Sequence, residues 1–375
     1  MPRVKPDIKS FVKIKVIGLG GSGSNAVSYM AKKRIEGVEF IAANTDAQAL
    51  HFAKATEKIL LGENITHGLG TGMDIELGRK AAQDSKEKIK EVIKDADMLF
   101  ISCGLGGGTG TSSAPVVAEI TRDLGILTIA VVTKPFAFEG EQKRKIAEKG
   151  LKELKEKVDS IIPIPNDRLL SIINEKTTAL NAFSIVDDVL CQAVQAISDL
   201  IVKPGTINVD FADINSIMKN SGLALMGMGR ARGENRAEAA TNQAINSPLL
   251  EISIDGARGV LFNISGGDDL TMKEIEIIAK IITKNVDREA KIIFGTVFDD
   301  TLRKNEVKVT VIATKFDQEF IKKDNQPTLL EQKLTLEEKE TITPPELEEK
   351  QDIGEEDEKE WEIPAFLRKR EKNKK

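Results

Sequence analysis

From Val12 to about Asn174, short apolar runs alternate with longer stretches of helix-forming residues. The runs are Val12–Ile17, Val38–Ala42, Met98–Cys103, Ile126–Val132 and Ser160–Ile164, flanked by Gly, Asn or Pro. Unbroken apolar runs separated by helical stretches predict a mostly parallel sheet with helices on both faces. One long helix is predicted next, roughly Thr178 to Val202. Phe183, Val186, Leu190, Val194, Ile197 and Ile201 recur there every three or four positions and mark one face. Pro204-Gly205 then stops it, since proline cannot continue a helix.

The second half reads differently. Ile214–Phe316 carries helical patterns at Arg236–Asn246 and Thr271–Asn285, and strand patterns at Val260–Ser265, Lys291–Val297 and Val307–Ala313. Their spacing suits an antiparallel arrangement, so this half is expected to be α+β. After Lys315 the chain fills with Glu, Lys, Gln, Asp, Thr and Pro. Such a segment cannot bury enough apolar surface to offset the entropy of ordering. The expected organisation is a parallel-sheet domain at 1–175, a central helix at 176–205, a C-terminal domain at 206–316, a disordered linker at 317–360 and a terminal peptide at 361–375.

Composition narrows the chemistry. The 375 residues are 41% hydrophobic and 30% charged with a net charge of −5, enough for a large core and contrary to a general nucleic-acid binder. The two cysteines, Cys103 and Cys191, each lie in an apolar stretch and read as reduced core residues. The two histidines have no metal-ligating spacing, so neither a zinc site nor a Ser/His triad is expected. Met1–Lys15 shows no apolar core of a signal peptide, and no apolar stretch reaches spanning length. A cytoplasmic protein is the expectation.

Two glycine loops carry the strongest chemistry. Gly18-Leu19-Gly20-Gly21-Ser22-Gly23-Ser24-Asn25 follows the first strand pattern and opens a helix. Glycines let backbone approach a phosphate, and helix N-terminal amides favour anions. Gly18, Gly20 and Gly23 also fit GxGxxG, with Asp46 near the place of a ribose-binding acid, so this loop alone points to a Rossmann-like oxidoreductase or to a plain tight turn. The second loop, Gly104-Leu105-Gly106-Gly107-Gly108-Thr109-Gly110-Thr111, follows Met98–Cys103. A dehydrogenase needs one such loop. Two on parallel strands can wrap a polyphosphate, and Gly68-Leu69-Gly70-Thr71-Gly72 can close over its end. The absence of GxxxxGK[ST] excludes the P-loop solution.

Gly106-Gly107-Gly108-Thr109-Gly110 resembles the signature loop of the tubulin/FtsZ family. Asn44-Thr45-Asp46-Ala47-Gln48-Ala49-Leu50, Thr133-Lys134-Pro135-Phe136, Phe138-Glu139-Gly140 and Ile164-Pro165-Asn166-Asp167 are similar to segments of the bacterial members, in the same order. The resemblance implies GTP or GDP as ligand, with Mg²⁺. It would put Gly20, Gly21, Asn25, Gly72, Gly107, Gly108, Thr109 and Gly110 round the phosphates. Thr133, Pro135 and Glu139 would face the ribose, and Asn166, Phe183 and Asp187 the guanine. Phe183 taken alone reads as core. Three positions depart from the family: Ser22 and Ser112 stand where it has glycine, and Lys143 where it has a phosphate-facing arginine, with Arg144 beside it as a substitute.

Hydrolysis also needs a group to orient water. Asn208-Val209-Asp210-Phe211-Ala212-Asp213 offers an NxDxxD pattern, equally readable as a helix N-cap with first-turn acids. A helix of about 25 residues spans about 37 Å, so these acids lie too far from a guanine at its other end to serve the same nucleotide. The resemblance makes Asn208, Asp210 and Asp213 catalytic in the next subunit of a head-to-tail filament. It further implies a GTPase of the mid-cell division ring. Ile363, Pro364, Phe366 and Leu367 would dock onto a membrane-tethering adaptor such as FtsA.

Overall fold

Strand β1 (Ile14–Leu19) is buried along its whole length, and β4 (Met98–Gly104) along all but its last residue, as a sheet covered on both faces requires. The computed structural model describes residues 12–316 apart from 171–176, 204, 251, 300 and 301. The Pro204 stop, the linker 317–360 and the terminal peptide 361–375 lie outside the described residues. In chain order the first half holds β1, α1 (Gly20–Lys33), β2 (Val38–Asn44), α2 (Ala47–Phe52), β3 (Glu57–Leu60) and α3 (Glu63–Thr66). It continues with α4 (Ile75–Asp84), α5 (Lys86–Ile93), β4, α6 (Gly108–Leu124), β5 (Leu127–Lys134), α7 (Glu141–Lys155), β6 (Ser160–Pro165) and α8 (Asn166–Leu170). Then come α9 (Ala179–Val202), α10 (Phe211–Met218), β7 (Gly222–Arg232), α11 (Arg236–Ile245), β8 (Ala257–Gly266), α12 (Met272–Lys284), β9 (Lys291–Phe298) and β10 (Glu306–Phe316).

All ten strands join one sheet in the order β3-β2-β1-β4-β5-β6-β7-β10-β8-β9. Strands β3 through β7 run parallel. Only Ser160–Gly222 and Ile161–Leu223 link β6 to β7, a narrow seam between the two halves. Beyond it β10 is antiparallel to both β7 and β8. The antiparallel expectation fails at β9, which runs parallel to β8. The reason is α12, which carries the chain back along the sheet between them, as a crossover must. Two strands escaped the sequence pattern. The edge strand β3 is half exposed and has no apolar run. In β7, Gly227 and Gly229 break the pattern because α11 crosses so closely that a Cβ would lie 2.0 and 1.9 Å from the Ala244 and Ala240 carbonyl oxygens.

Period-two alternation divides the core. Val16, Phe100 and Ile129 pack with α1 and α9 on one face, while Ile17, Leu99 and Ile101 pack with α4–α7 on the other. Thr178 caps α9 by accepting from the Asn181 N–H. The predicted face of α9 is buried at Val186, Leu190, Val194 and Ile197, and the same cluster takes in Val209, Ile214, Leu261 and Ile312 of the second half. Phe183 departs from that face: it is 51% exposed.

Candidate functional site

The glycine loops meet because β1 and β4 are adjacent and parallel, pairing Leu19 with Cys103 at their C-terminal ends. Each loop runs straight into a helix, α1 at Gly20 and α6 at Gly108. Neither helix has a side-chain N-cap or an acid in its first turn. Their orphan N–H groups therefore face one space with no built-in negative partner, which favours an anion there. The loops also touch: a Cβ on Gly20, at φ +71, would lie 3.0 Å from the Gly110 nitrogen, and one on Gly110 3.1 Å from the Leu19 carbonyl oxygen. Gly21 and Gly107 face open space.

Above them lies a cavity of about 490 Å³. Gly20, Gly21, Asn25, Gly107, Gly108, Thr109 and Gly110 line it from the two glycine loops and α1, and Thr133, Pro135, Glu139, Lys143, Asn166, Phe183 and Asp187 complete the wall. Gly72 is the exception, since Thr71 lines the wall instead. Thr71 Oγ1 lies 3.3 Å from Thr109 Oγ1, which lies 2.7 Å from Thr45 Oγ1, so a buried chain of hydroxyls ties the 68–72 segment to the second loop. Glu139 accepts from the Phe136 N–H at 3.0 Å and from Lys143 Nζ at 2.9 Å, which fixes its carboxylate at the wall.

The end formed by α8 and α9 is built for a polar planar group. Asn166 is 6% exposed, yet its Oδ1 has no hydrogen-bond partner. A buried amide oxygen without a donor costs free energy that a ligand N–H recovers. Asp187 lies on the same wall, where burial pushes its carboxyl up to about 6 against a small opposing pull from Lys32. The Phe183 ring stands edge-on to Phe136, with 5.7 Å between centroids.

Residues 13–174 match the Tubulin/FtsZ family GTPase domain, and residues 222–317 the FtsZ family C-terminal domain. A solved FtsZ from M. jannaschii, an empty dimer, is 45% identical with a TM-score of 0.78 over 82% of this chain and 89% of that one. The chain belongs to the FtsZ family. Two CetZ proteins of Haloferax volcanii share the fold at 19% and 20% identity, with TM-scores of 0.72 and 0.71 over 88% of this chain and all of theirs. One was solved as a GTPγS-bound protofilament, the other as a GDP-bound monomer. As an FtsZ-family GTPase, this protein has GTP and GDP as its nucleotides and a polymer-forming fold.

The departures from the family pattern can now be located. Ser22 lines the cavity beside Gly104, where a Cβ would lie 2.8 Å from its Oγ. Ser112 is fully buried inside α6; its hydroxyl donates to the Gly108 carbonyl at 2.7 Å and packs against Gly78 of α4, away from the cavity. Lys143 reaches the wall, whereas Arg144 pairs with Glu141 and Glu148 outside it, so Arg144 is no substitute. Asp46 caps α2 by accepting from the Ala49 N–H at 3.0 Å and does not line the cavity, which removes the ribose acid of the oxidoreductase reading. The sequence reading missed Leu19, Thr71, Gly104, Leu105 and Val186 as wall residues. All but Val186 lie in or beside the glycine segments, so position alone could have found them.

Asn208, Asp210 and Asp213 are not part of this cavity. From Asp187, α9 runs on to Val202, about 22 Å further at 1.5 Å per residue. Asn208 Oδ1 there accepts from the Gly205 N–H at 2.7 Å, and Asp210 caps α10. Cys103 and Cys191 are buried and free, and burial pushes both thiols up to about 12. Among the described residues no helix is long and apolar enough to cross a membrane.

Proposed function

We propose that this protein hydrolyses GTP at the junction of two subunits in a head-to-tail filament. The observation that carries this reading is the separation along α9: Phe183 and Asp187 stand at a cavity with two uncapped helix N-termini, while Asn208, Asp210 and Asp213 lie beyond the far end. The glycine-loop amides and Lys143 bind the phosphates, Glu139 faces the ribose, and Asn166 Oδ1 and the Asp187 carboxylate accept from guanine N–H groups that adenine does not present. Asp210 and Asp213 of the preceding subunit orient the attacking water, so a lone subunit holds GTP without turning it over. Among the described residues no group of three or more His, Cys, Asp or Glu could hold a metal. Mg²⁺ would be carried by phosphate oxygens and water, where it offsets charge developing on the phosphoryl group.

The decisive experiment is phosphate release with GTP and Mg²⁺ across a protein dilution series. Turnover per subunit should rise with concentration and level off; a flat profile would mean each chain carries a complete site. A cytoplasmic division-ring role at mid-cell fits a filament with a terminal peptide, Ile363, Pro364, Phe366 and Leu367, suited to a groove on an adaptor such as FtsA. Deleting residues 361–375 should abolish recruitment while leaving polymerisation intact.

A further inference from the structure

Helices α1 and α9 pack together beside the cavity and both line it. α1 brings Asn25 and its N-terminal amides, and α9 brings Phe183 and Asp187. One turn beyond Asn25, on the same side of α1, stands Tyr29. Its hydroxyl donates to Asp188 Oδ1 at 2.8 Å. The other oxygen of Asp188 takes a short hydrogen bond from the Gln192 amide, one turn along α9. Lys33 Nζ covers the phenol face at 5.3 Å from the ring centroid. Burial and then the Asp188 carboxylate raise the ionisation of Tyr29 above that of an ordinary phenol, so it remains a donor at neutral pH.

Asp188 follows Asp187 in the chain and is therefore turned about 100° away on the helix. It does not line the cavity. Its bond to Tyr29 nevertheless fixes the rotation and height of the very turn that presents Asp187. We infer that Tyr29 and Asp188 are positioning residues for purine discrimination: their hydrogen bond holds the base-reading turn of α9 in register with the phosphate-binding start of α1. This inference rests on Asp187 accepting from guanine. A hydrogen bond to a charged acceptor across two helices is among the stronger single ties available, and a small rotation of α9 would move the Asp187 carboxylate directly.

The test uses the full chain, with GDP and with IDP, which lacks the 2-amino group. Tyr29→Phe keeps the ring and removes the bond; it and Asp188→Ala should weaken GDP about three- to tenfold and IDP less. The preference for GDP over IDP therefore falls. Asp188→Asn retains an amide oxygen for the phenol to donate to and should keep most of that preference, a rescue that mere helix packing would not produce. Tyr29 is the chain's one tyrosine, so ¹³C-tyrosine labelling gives a single signal. That signal should shift on GDP addition in the parent and in Asp188→Asn, and stay still in Asp188→Ala. Should Tyr29→Phe not fold, the two Asp188 variants carry the same comparison.

Asp187→Asn serves as the reference. If it collapses the GDP preference while Tyr29→Phe and Asp188→Ala leave it unchanged, the positioning role is overturned and the site reading survives. If Asp187→Asn leaves the preference intact, both are overturned.

Discussion

The Asp210 carboxylate accepts the backbone N–H of Asp213 at 2.7 Å, so one acid of the NxDxxD segment caps the helix on which the other stands. The helix-cap reading and the catalytic reading of this segment thus overlap at Asp210 and separate at Asp213. Loss of an N-cap costs about 1 kcal/mol, and Asp213 makes no such bond with its side chain. Asp210→Ala should lower both stability, by about that amount, and turnover. Asp213→Ala should keep stability within about 0.5 kcal/mol, still bind GTP and assemble, and lose most turnover. Chemical denaturation beside phosphate release separates the two; full GTPase activity in Asp213→Ala would end its catalytic role.

Asp187 gives a pH dependence of definite sign. Its carboxyl is raised from 3.8 to about 6 by burial, so ionising it costs the folded protein free energy. Unliganded stability should therefore fall as pH rises from about 4 to 6 and then level. Asp187→Asn should be the more stable form above pH 6, by about 1 kcal/mol once partial solvent exposure is discounted. Guanine binding has the opposite requirement, since the acceptor must be ionised: GDP affinity should climb through pH 6 in the parent and not in the variant. Thermal denaturation and calorimetric titration at pH 5 and pH 7.5 check both signs.

The second half depends on Arg236, which is 6% exposed. It donates to Glu274 Oε1 at 2.6 Å and Oε2 at 3.1 Å, and to Asp269 Oδ2 at 2.7 Å. Its guanidinium, followed by the Thr271 cap bonds, holds Glu274 down at about 2. Arg236→Ala should destabilise by about 2–3 kcal/mol, because it removes a buried guanidinium that bridges two half-buried carboxylates, which keep only their bonds to Thr271 and Asn305. In the parent, the depressed Glu274 contributes stability that is lost as pH falls from about 4.5 toward 2. Equilibrium unfolding across that range should show a shallower slope in the variant, where Asp95 and Glu153, also held low, still contribute.

Ser112 tests whether a departure from the family pattern touches the nucleotide. Its hydroxyl is committed to the Gly108 carbonyl and faces α4. Ser112→Gly should leave GDP affinity within about threefold and cost about 1 kcal/mol of stability, from glycine inside a helix. A larger change in affinity would place the Gly108 turn, and with it Ser112, under the control of the ligand.

The sequence by itself determined the βα alternation, the glycine loops and the long helix. Each is written in local signals: unbroken apolar runs, glycines where a chain turns tightly, and apolar residues every three or four positions. It also put nearly the whole cavity wall on the page, through order and residue type in the family's segments. It could not show that β9 runs parallel to β8 or that β7 hides among glycines, because both follow from a helix packing across the sheet. Nor could it separate Arg144 from Lys143, or Gly72 from Thr71, since one step along a helix or loop turns a side chain from the cavity to its outside. Only the tertiary structure decided that Phe183 is exposed at the wall, that Asn166 keeps an unanswered oxygen, and that Tyr29 ties α1 to α9. Those are relations between residues far apart in the chain, and no local pattern encodes the distance between them.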